Sequence, residues 1–266
     1  MTQRLLDVRH VKKVYEGHGR VVEAIGDLSF SCAAGELVGI VGPSGAGKTT
    51  LLKCIAGLIE PTAGEVVLGD VVVHGPPPGM AVVFQDYGRS LFPWLTVEKN
   101  VALPLVQKQL PRAQIQRLVA DALREVGLAD VHGAYPWQLS GGMQQRVAIA
   151  RAIAYEPKIL LMDEPFAAVD AQTRADLEDL TRNLWSRHRV TILFVTHDID
   201  EAVYMAQRVV MLSSSPTVVL EDLAIDLPAD RDQLATRSSP RFAELRARVY
   251  AQIQRAKQPR GGAGRP

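Results

Sequence analysis

The hydrophobic residues of this chain fall into short continuous runs, which are separated by segments with helical periodicity. The runs predict strands, and most of them are typical of a parallel sheet that is buried on both faces. The predicted strands cover residues 37–41, 66–68, 81–84, 159–162, 191–195 and 209–212. The first of them, LVGIV, leads into a glycine-rich turn and a predicted helix. This alternation of strands and helices indicates an α/β fold.

Residues 85–157 have a different pattern, because no segment there has the character of a strand. A helix is predicted to begin near Pro111 and to end at Gly127, since glycine often follows the last helical turn. Apolar residues recur along it at helical spacing, at Ile115, Leu118, Val119, Ala122, Leu123 and Val126. We therefore interpret this region as a helical insertion in an α/β core.

The C-terminal region combines a predicted helix with an excess of positive charge. Ser239 as cap and Pro240 at the first position are typical of a helix start. Four apolar residues share one face of that helix: Phe242, Leu245, Val249 and Ile253. Residues 229–266 contain nine Lys or Arg and three Asp or Glu, a net charge of +6, whereas the whole chain carries +1. Such a tail either binds phosphates or a membrane surface, or is simply a solvated chain end.

Length and composition exclude several classes of protein. A chain of 266 residues accommodates one large domain, or a domain with an inserted subdomain. Its composition, with 47% hydrophobic and 22% charged residues, excludes a disordered chain, a collagen-like fibre and a disulfide scaffold. Apolar runs are far shorter than the roughly 18 residues that span a bilayer, and the N-terminus lacks a signal-peptide pattern, so we expect a cytoplasmic chain. Cys32 and Cys54 have no partners at metal-ligand spacing and are expected to be packing residues.

The strongest motif follows the first predicted strand and opens the next helix. Residues 42–49 fit G-x-x-x-x-G-K-[ST], a loop whose backbone N–H groups cradle nucleotide phosphates. Lys48 is expected to reach the β- and γ-phosphates, and the Thr49 hydroxyl is expected to bind Mg²⁺. The predicted nucleotide-binding residues of the loop are Gly42, Pro43, Ser44, Gly45, Ala46, Gly47, Lys48, Thr49 and Thr50. The motif alone is compatible with a kinase, a GTPase or a motor.

Two adjacent carboxylates end the predicted strand 159–162. Strand geometry places Asp163 at the C-terminal edge of the sheet, where it can hold Mg²⁺ through water. Glu164 is then available as the general base for an attacking water molecule. Paired carboxylates after an apolar run also occur as simple strand-to-helix caps. Together with the phosphate-binding loop, they indicate nucleotide hydrolysis.

A third motif, LSGGMQQR at residues 139–146, opens another predicted helix. At this point the chain resembles the ATP-binding-cassette (ABC) ATPases, whose signature is LSGGQ, with Met143 in place of the usual glutamine. Backbone N–H groups and a serine hydroxyl at a helix N-terminus form a second anion site. The resemblance implies that this signature closes over ATP held by a second subunit, in a head-to-tail homodimer formed on ATP binding. The residues expected to do so are Ser140, Gly141, Gly142 and Gln144.

The resemblance assigns roles to four further residues. Gln85 matches the residue that touches Mg²⁺ and water and senses the membrane partner, and His197 matches the switch histidine that contacts the γ-phosphate. Asp170 matches the loop that couples the two ATP sites, and Tyr15 matches the aromatic residue that stacks on adenine. The expected catalytic residues are therefore Glu164, His197 and Lys48, and the expected metal ligands are Thr49, Gln85 and Asp163.

These elements occur in the order of the ABC family, so the resemblance covers about residues 5–228. It implies a P-loop NTPase core of the RecA-like α/β type, an antiparallel β subdomain near the N-terminus and a helical subdomain at about residues 87–157. Residues 229–266 then form a basic C-terminal helix and tail. The implied activity is hydrolysis of ATP with Mg²⁺, coupled to transport across a membrane.

Two segments distinguish among ABC ATPases. LFPWLTV at residues 91–97 and the stretch 226–249, which contains RDQLATR, resemble segments of the nitrate, sulfonate and taurine import ATPases. We therefore expect a peripheral importer subunit on the cytoplasmic face of the cell (inner) membrane. Its expected partners are two integral membrane permease subunits and a periplasmic or extracellular solute-binding protein, and not nucleic acid. Another ABC importer, an exporter subunit and a soluble ABC ATPase acting on ribosomes or DNA remain alternatives, and these motifs do not specify the solute.

Overall fold

The computed structural model describes residues 4–17 and 20–257. The chain divides into two compact units. The first contains the described residues of Met1–Pro77 and Leu193–Pro266, and the second consists of Pro78–Ile192. Among the helices of the described ranges, none has both the length and the apolarity that crossing a membrane requires.

The first unit is built around a mixed sheet. Its strands are β1 (Arg4–Gly17), β2 (Arg20–Ala33), β3 (Leu37–Val41), β4 (Ala63–Leu68), β5 (Val71–Val72), residues 193–196 of β8 (Thr191–Thr196), β9 (Arg208–Leu212) and β10 (Thr217–Ala224). They follow one another in the order β5-β4-β1-β2-β10-β9-β3-β8. β1 pairs antiparallel with β2 and β4, whereas β3 pairs parallel with β9. The antiparallel strands near the N-terminus are those implied by the family resemblance.

The helices of the first unit are α1 (Lys48–Ile55), α7 (Ile199–Met205), α8 (Gln233–Arg237) and α9 (Pro240–Lys257). The Ser239 Oγ accepts the Phe242 N–H at 3.2 Å, which confirms the predicted start of α9. α9 packs against α7 and β9 and buries the four predicted apolar residues: Phe242, Leu245, Val249 and Ile253. Arg246 pairs with Asp200 of α7 at 2.7 Å. Part of the positive charge of the C-terminal region is therefore compensated within this unit.

The second unit contains two parallel strands, β6 (Met80–Val83) and β7 (Ile159–Asp163). Its helices are α2 (Tyr87–Ser90), α3 (Val97–Ala102), α4 (Arg112–Glu125), α5 (Gly141–Ala154) and α6 (Ala171–His188). Short 3₁₀ turns occupy Leu103–Lys108, Ala129–Val131 and Pro136–Gln138. Within residues 84–158, all of which the structure describes, every element is helical, so the predicted helical insertion is confirmed. α4 ends close to Gly127, whose φ of +72° allows the chain to turn, as the pattern predicted.

All six predicted strands occur, and every residue of β3, β7 and β8 is buried, as expected from their continuous apolar runs. The hydrophobic pattern missed β1, β2, β5 and β10. β1 and β2 are partly exposed, and their pairing register shifts at several positions, so polar residues interrupt the alternation on which a pattern depends.

Both cysteines are buried free thiols. Burial raises the pKa of Cys32 to about 12 and that of Cys54 to about 11, so both thiols stay protonated at neutral pH. The prediction that they are packing residues is confirmed.

Candidate functional site

The glycine-rich loop between β3 and α1 lies in the first unit. Gly45 and Gly47 have φ values of +76° and +72°, a backbone conformation that other residues rarely adopt. A Cβ on Gly47 would lie 2.9 Å from the carbonyl oxygen of Ala24. α1 begins at this point without a side-chain cap. The first N–H groups of the helix are therefore arranged for an external anion rather than for a residue of the loop.

Lys48 supplies a positive charge inside this loop. The side chain is only 6% exposed, and the Nζ donates to the carbonyl oxygens of Gly42 and Pro43 at 2.9 Å each. Both acceptors belong to the loop itself, so the ammonium group is held against the concavity that the motif predicts. This arrangement is suited to a phosphate tail.

Two other predicted site residues, Tyr15 and His197, also lie in the first unit. The Tyr15 hydroxyl donates to Thr50 Oγ1 at 3.5 Å, and the Tyr15 ring is 43% exposed. The structure thus brings the predicted adenine-stacking residue to the first turn of α1, with an accessible ring. His197 is exposed and follows β8, and the next residue, Asp198, caps α7 by accepting the N–H groups of residues 200 and 201.

The predicted metal ligand and general base lie in the second unit, at the end of β7. Asp163 is 4% exposed, and Glu164 follows it with a φ of +44°. The Gln85 Nε2 donates to Glu164 Oε2 at 3.2 Å. Because β6 and β7 are parallel, with Val83 opposite Met162, the segments after both strands meet at one edge. The structure therefore brings Gln85 to Glu164, because the C-terminal ends of parallel strands lie at the same edge.

The signature residues open α5, also in the second unit. Ser140 is the N-cap, and its Oγ accepts the Met143 N–H at 3.3 Å. Gly142 lies against α6, since a Cβ there would come within 2.4 Å of Thr173 Cγ2. The Gln144 Nε2 donates to the carbonyl oxygens of Pro136 and Leu139, at 3.1 and 3.2 Å. The amide of Gln144 thus holds the loop that leads into the signature.

Asp170 caps α6 next to this helix start. It accepts the Thr173 N–H at 3.0 Å and the Thr173 hydroxyl at 2.7 Å. These hydrogen bonds, the backbone one foremost, lower the pKa of Asp170. Thr173 contacts both Asp170 and Gly142, so the predicted coupling loop and the signature meet within one unit.

Exposed aromatic side chains follow Gln85 along the chain. Phe92 and Trp94 form an edge-to-face pair with ring centroids 5.3 Å apart, and Trp94 is 70% exposed. Asn100 fixes this loop, because it accepts the Phe92 N–H at 2.8 Å and donates to the carbonyl oxygens of Phe92, Leu95 and Thr96. The loop therefore presents a large apolar side chain on a rigid support.

Comparison with known proteins decides the family. Residues 25–167 match the ABC transporter family. The chain is 42% identical to the nitrate import ATP-binding protein NrtD of Synechocystis sp., over 88% of this chain and 87% of that protein. The chain belongs to the ABC ATPases. It is also 39% identical to the aliphatic sulfonates import ATP-binding protein SsuB of Bacillus cereus, over 92% of this chain and 94% of that protein.

A solved structure agrees with this assignment. The ATP-binding cassette MJ0796, a dimer in a post-hydrolysis state bound to ADP and Pi, matches with a TM-score of 0.74 and 31% identity. The match covers 84% of this chain and all of that one. The predicted fold class, a P-loop NTPase core of the ABC ATPase type, is confirmed, and the ABC ATPase is an enzyme that hydrolyses ATP.

The donor groups of this ABC ATPase fit Mg²⁺ that arrives with a nucleotide. Within the described residues, no group of three or more His, Cys, Asp or Glu is arranged to hold a metal ion by itself. Mg²⁺ usually takes one or two protein carboxylates and completes its shell with phosphate oxygens and water. The Asp163 carboxylate, the Thr49 hydroxyl and the Gln85 amide are oxygen donors of that kind.

Two buried polar residues that the sequence pattern did not predict stabilise the glycine-rich loop and the aromatic loop. Thr217, 1% exposed, donates a hydrogen bond from its Oγ1 to the carbonyl oxygen of Ala46 inside the glycine-rich loop. It belongs to β10, a strand that the hydrophobic pattern did not predict. Asn100 was missed as well, because it follows Glu98 and Lys99 in the sequence and the pattern does not distinguish it from an exposed polar residue.

Proposed function

We propose that this ABC ATPase energises the import of a small solute of the nitrate, sulfonate or taurine class. The observation that carries the proposal is the 39–42% identity, over most of the chain, to relatives named as sulfonate and nitrate import proteins. The LFPWLTV segment at residues 91–97 and the stretch 226–249 support the same branch. We place the catalytic domain at residues 5–228, with a helical subdomain at about 87–157 and the basic helix and tail at 229–266.

In the proposed reaction, each site residue has one task. Lys48 and the N–H groups of the loop hold the β- and γ-phosphates, and Tyr15 stacks on adenine. Glu164 takes a proton from the attacking water through its carboxylate, and Gln85 orients that carboxylate through the hydrogen bond already present. His197 contacts the γ-phosphate. Bound Mg²⁺ would neutralise phosphate charge, with Asp163, Thr49 and Gln85 as its protein ligands.

The proposed assembly is a head-to-tail homodimer in which the signature complements the ATP of the partner subunit, through Ser140, Gly141, Gly142 and Gln144. Two anion sites of different construction in one chain support this arrangement, as does the dimeric state of the related cassette. Asp170, which meets the signature through Thr173, would couple the two ATP sites.

We propose two integral membrane permease subunits as the partners of the exposed aromatic loop, and a solute-binding protein on the other side of the membrane. The ATPase would then be peripheral, on the cytoplasmic face of the cell (inner) membrane. The loop is rigid through Asn100, and a 70% exposed Trp94 is suited to anchor an interface.

The test is co-purification of the ATPase with permease subunits from detergent-solubilised membranes. Trp94→Ala should weaken that association about 30-fold, the equivalent of about 2 kcal/mol for an aromatic anchor, while ATP binding is unchanged. Trp185→Ala, a change to a tryptophan of α6, is the matched control. Recovery with ribosomes or DNA instead of a permease would contradict the importer proposal.

The solute class is tested separately by growth. A strain that lacks this ATPase should fail to use taurine, alkanesulfonates or nitrate as its only source of sulfur or nitrogen. Normal growth on all of them would exclude this solute class and would favour an ATPase of another ABC importer.

A further inference from the structure

Gln145 is a glutamine to which the sequence motifs assign no role. It lies on α5, one turn after Gly142, and its side chain is fully buried. The Nε2 donates to the carbonyl oxygen of Pro165 at 2.6 Å. Pro165 directly follows Glu164, so the signature helix is hydrogen-bonded to the turn that carries the proposed general base.

The remaining atom of this amide makes Gln145 costly for folding alone. Within the described residues, Gln145 Oε1 is buried and has no hydrogen-bond partner. A buried polar atom without a partner is destabilising, and an apolar side chain of similar volume would avoid that cost. The hydrogen bond to Pro165 is therefore the interaction that accounts for an amide at this buried position.

The turn that receives this bond is an unusual one. Glu164 has a φ of +44°, a conformation that costs a residue with a Cβ free energy and persists only when neighbouring contacts fix it. Within the turn, the Glu164 carbonyl oxygen accepts the Ala167 N–H at 3.3 Å. Pro165 has no N–H to donate, and its carbonyl oxygen is the group that Gln145 ties to α5. Gln85 binds the carboxylate end of Glu164, and Gln145 binds the backbone just after it.

α5 contacts the same chain segment at a second point. Gly142 and Gln145 are three residues apart and share one helix face, and Gly142 abuts Thr173 beside Asp170. One face of the signature helix thus touches both the turn of Glu164 and the first turn of α6, which Asp170 caps. A shift of α5 would reach the general base through the Gln145 amide.

We propose that Gln145 is a positioning residue, which fixes the Glu164–Pro165 turn relative to the signature helix and so places the general base for hydrolysis. The proposal rests on the role proposed above for Glu164, and not on the transported solute or on the membrane partners.

The test compares two methionine variants of α5 in the full chain. Gln145→Met removes the bond to Pro165 and keeps a similar volume. Arg151→Met, the control on the same helix, removes two side-chain hydrogen bonds to Ser90, to its carbonyl oxygen at 2.7 Å and to its Oγ at 3.0 Å. Gln145→Met should lower kcat about 10- to 100-fold, because misplacement of a catalytic group by about 1 Å has that effect, while the KM for ATP changes little. Arg151→Met should retain the kcat of the unaltered chain.

A second measurement separates positioning from general damage to the fold. If Gln145 acts only through Glu164, adding Gln145→Met to Glu164→Gln should lower the residual rate no further. Additive losses, a normal kcat in folded Gln145→Met, or an equal loss in Arg151→Met would overturn the proposal. Should Gln145→Met not fold, Gln145→Asn, which keeps the amide but shortens its reach, is measured in the same way. A fully active Glu164→Gln would instead refute the role of Glu164.

Discussion

The two glycine-rich helix starts of this chain are built in different ways. α1 begins after Gly47 with no side-chain cap, and the buried ammonium of Lys48 lies against the loop carbonyls. α5 begins after Ser140, whose own hydroxyl caps the Met143 N–H, and its first turn has no basic residue. The first combines uncapped N–H groups with a positive charge, which is the arrangement that a phosphate tail requires. The second adds neutral donors only, so it is suited to complete the binding of a phosphate held elsewhere.

The largest expected effect comes from Glu164, which belongs to neither helix start. Glu164→Gln should lower ATP hydrolysis about 10²- to 10⁴-fold, because the general base is lost while an oxygen acceptor for Gln85 remains. ATP binding should persist, and the variant should accumulate as a dimer with ATP and Mg²⁺. Hydrolysis rates, nucleotide titration and light scattering measure these three properties.

Glu156→Gln is the control for this change, since Glu156 is an exposed glutamate that also has a positive φ, of +51°. It should hydrolyse ATP normally. Near-normal hydrolysis by the Glu164→Gln protein would mean that Glu164 is not the general base.

The next effect tests the charge of the first helix start. Lys48→Ala should weaken ATP binding about 10- to 100-fold, the usual range for a hydrogen bond to a charged group. Lys53→Ala removes an exposed charge from the same helix and should bind ATP normally. Equal affinities in the two variants, measured by calorimetry, would mean that Lys48 does not bind the phosphates.

A smaller effect tests the backbone of the first helix start. Gly47→Ala should lower the free energy of unfolding by about 1–2 kcal/mol, because alanine is strained at φ +72° and its Cβ would crowd the Ala24 carbonyl. Gly133→Ala, where a Cβ meets open space, is the comparison. Urea unfolding measures both variants, and equal stabilities would contradict the need for glycine at position 47.

The smallest effect tests the self-capping of the second helix start. Ser140→Ala should lower the free energy of unfolding by about 1 kcal/mol, since a capping hydroxyl is lost. Ser140→Asn, which keeps a capping oxygen, should retain the stability of the unaltered chain. A Ser140→Ala protein as stable as the unaltered chain would show that the hydroxyl does not cap α5.

These sites differ in how far the sequence predicts them. The loop 42–49 is predictable because its backbone conformation requires glycine at fixed positions and its chemistry requires lysine. β3 and β7 are predictable because both of their faces are buried. β1 was not predicted from the pattern, since register shifts and partly exposed faces interrupt its alternation.

The glutamine pair of α5 shows a second limit. Gln144 and Gln145 are adjacent, so they point in directions about 100° apart on the helix. One binds the loop carbonyls before the signature, and the other is fully buried against Pro165. The sequence alone does not distinguish them, because the difference depends on which segments pack against each face of α5.

The central claim is that the two helix starts serve one ATP from different subunits, and mixing two inactive variants tests it most directly. Lys48→Ala and Ser140→Arg should each be inactive alone. A heterodimer of the two contains one site with both elements intact, so an equimolar mixture should regain up to about one quarter of the unaltered activity. A mixture that contains heterodimers yet regains no hydrolysis would contradict the claim.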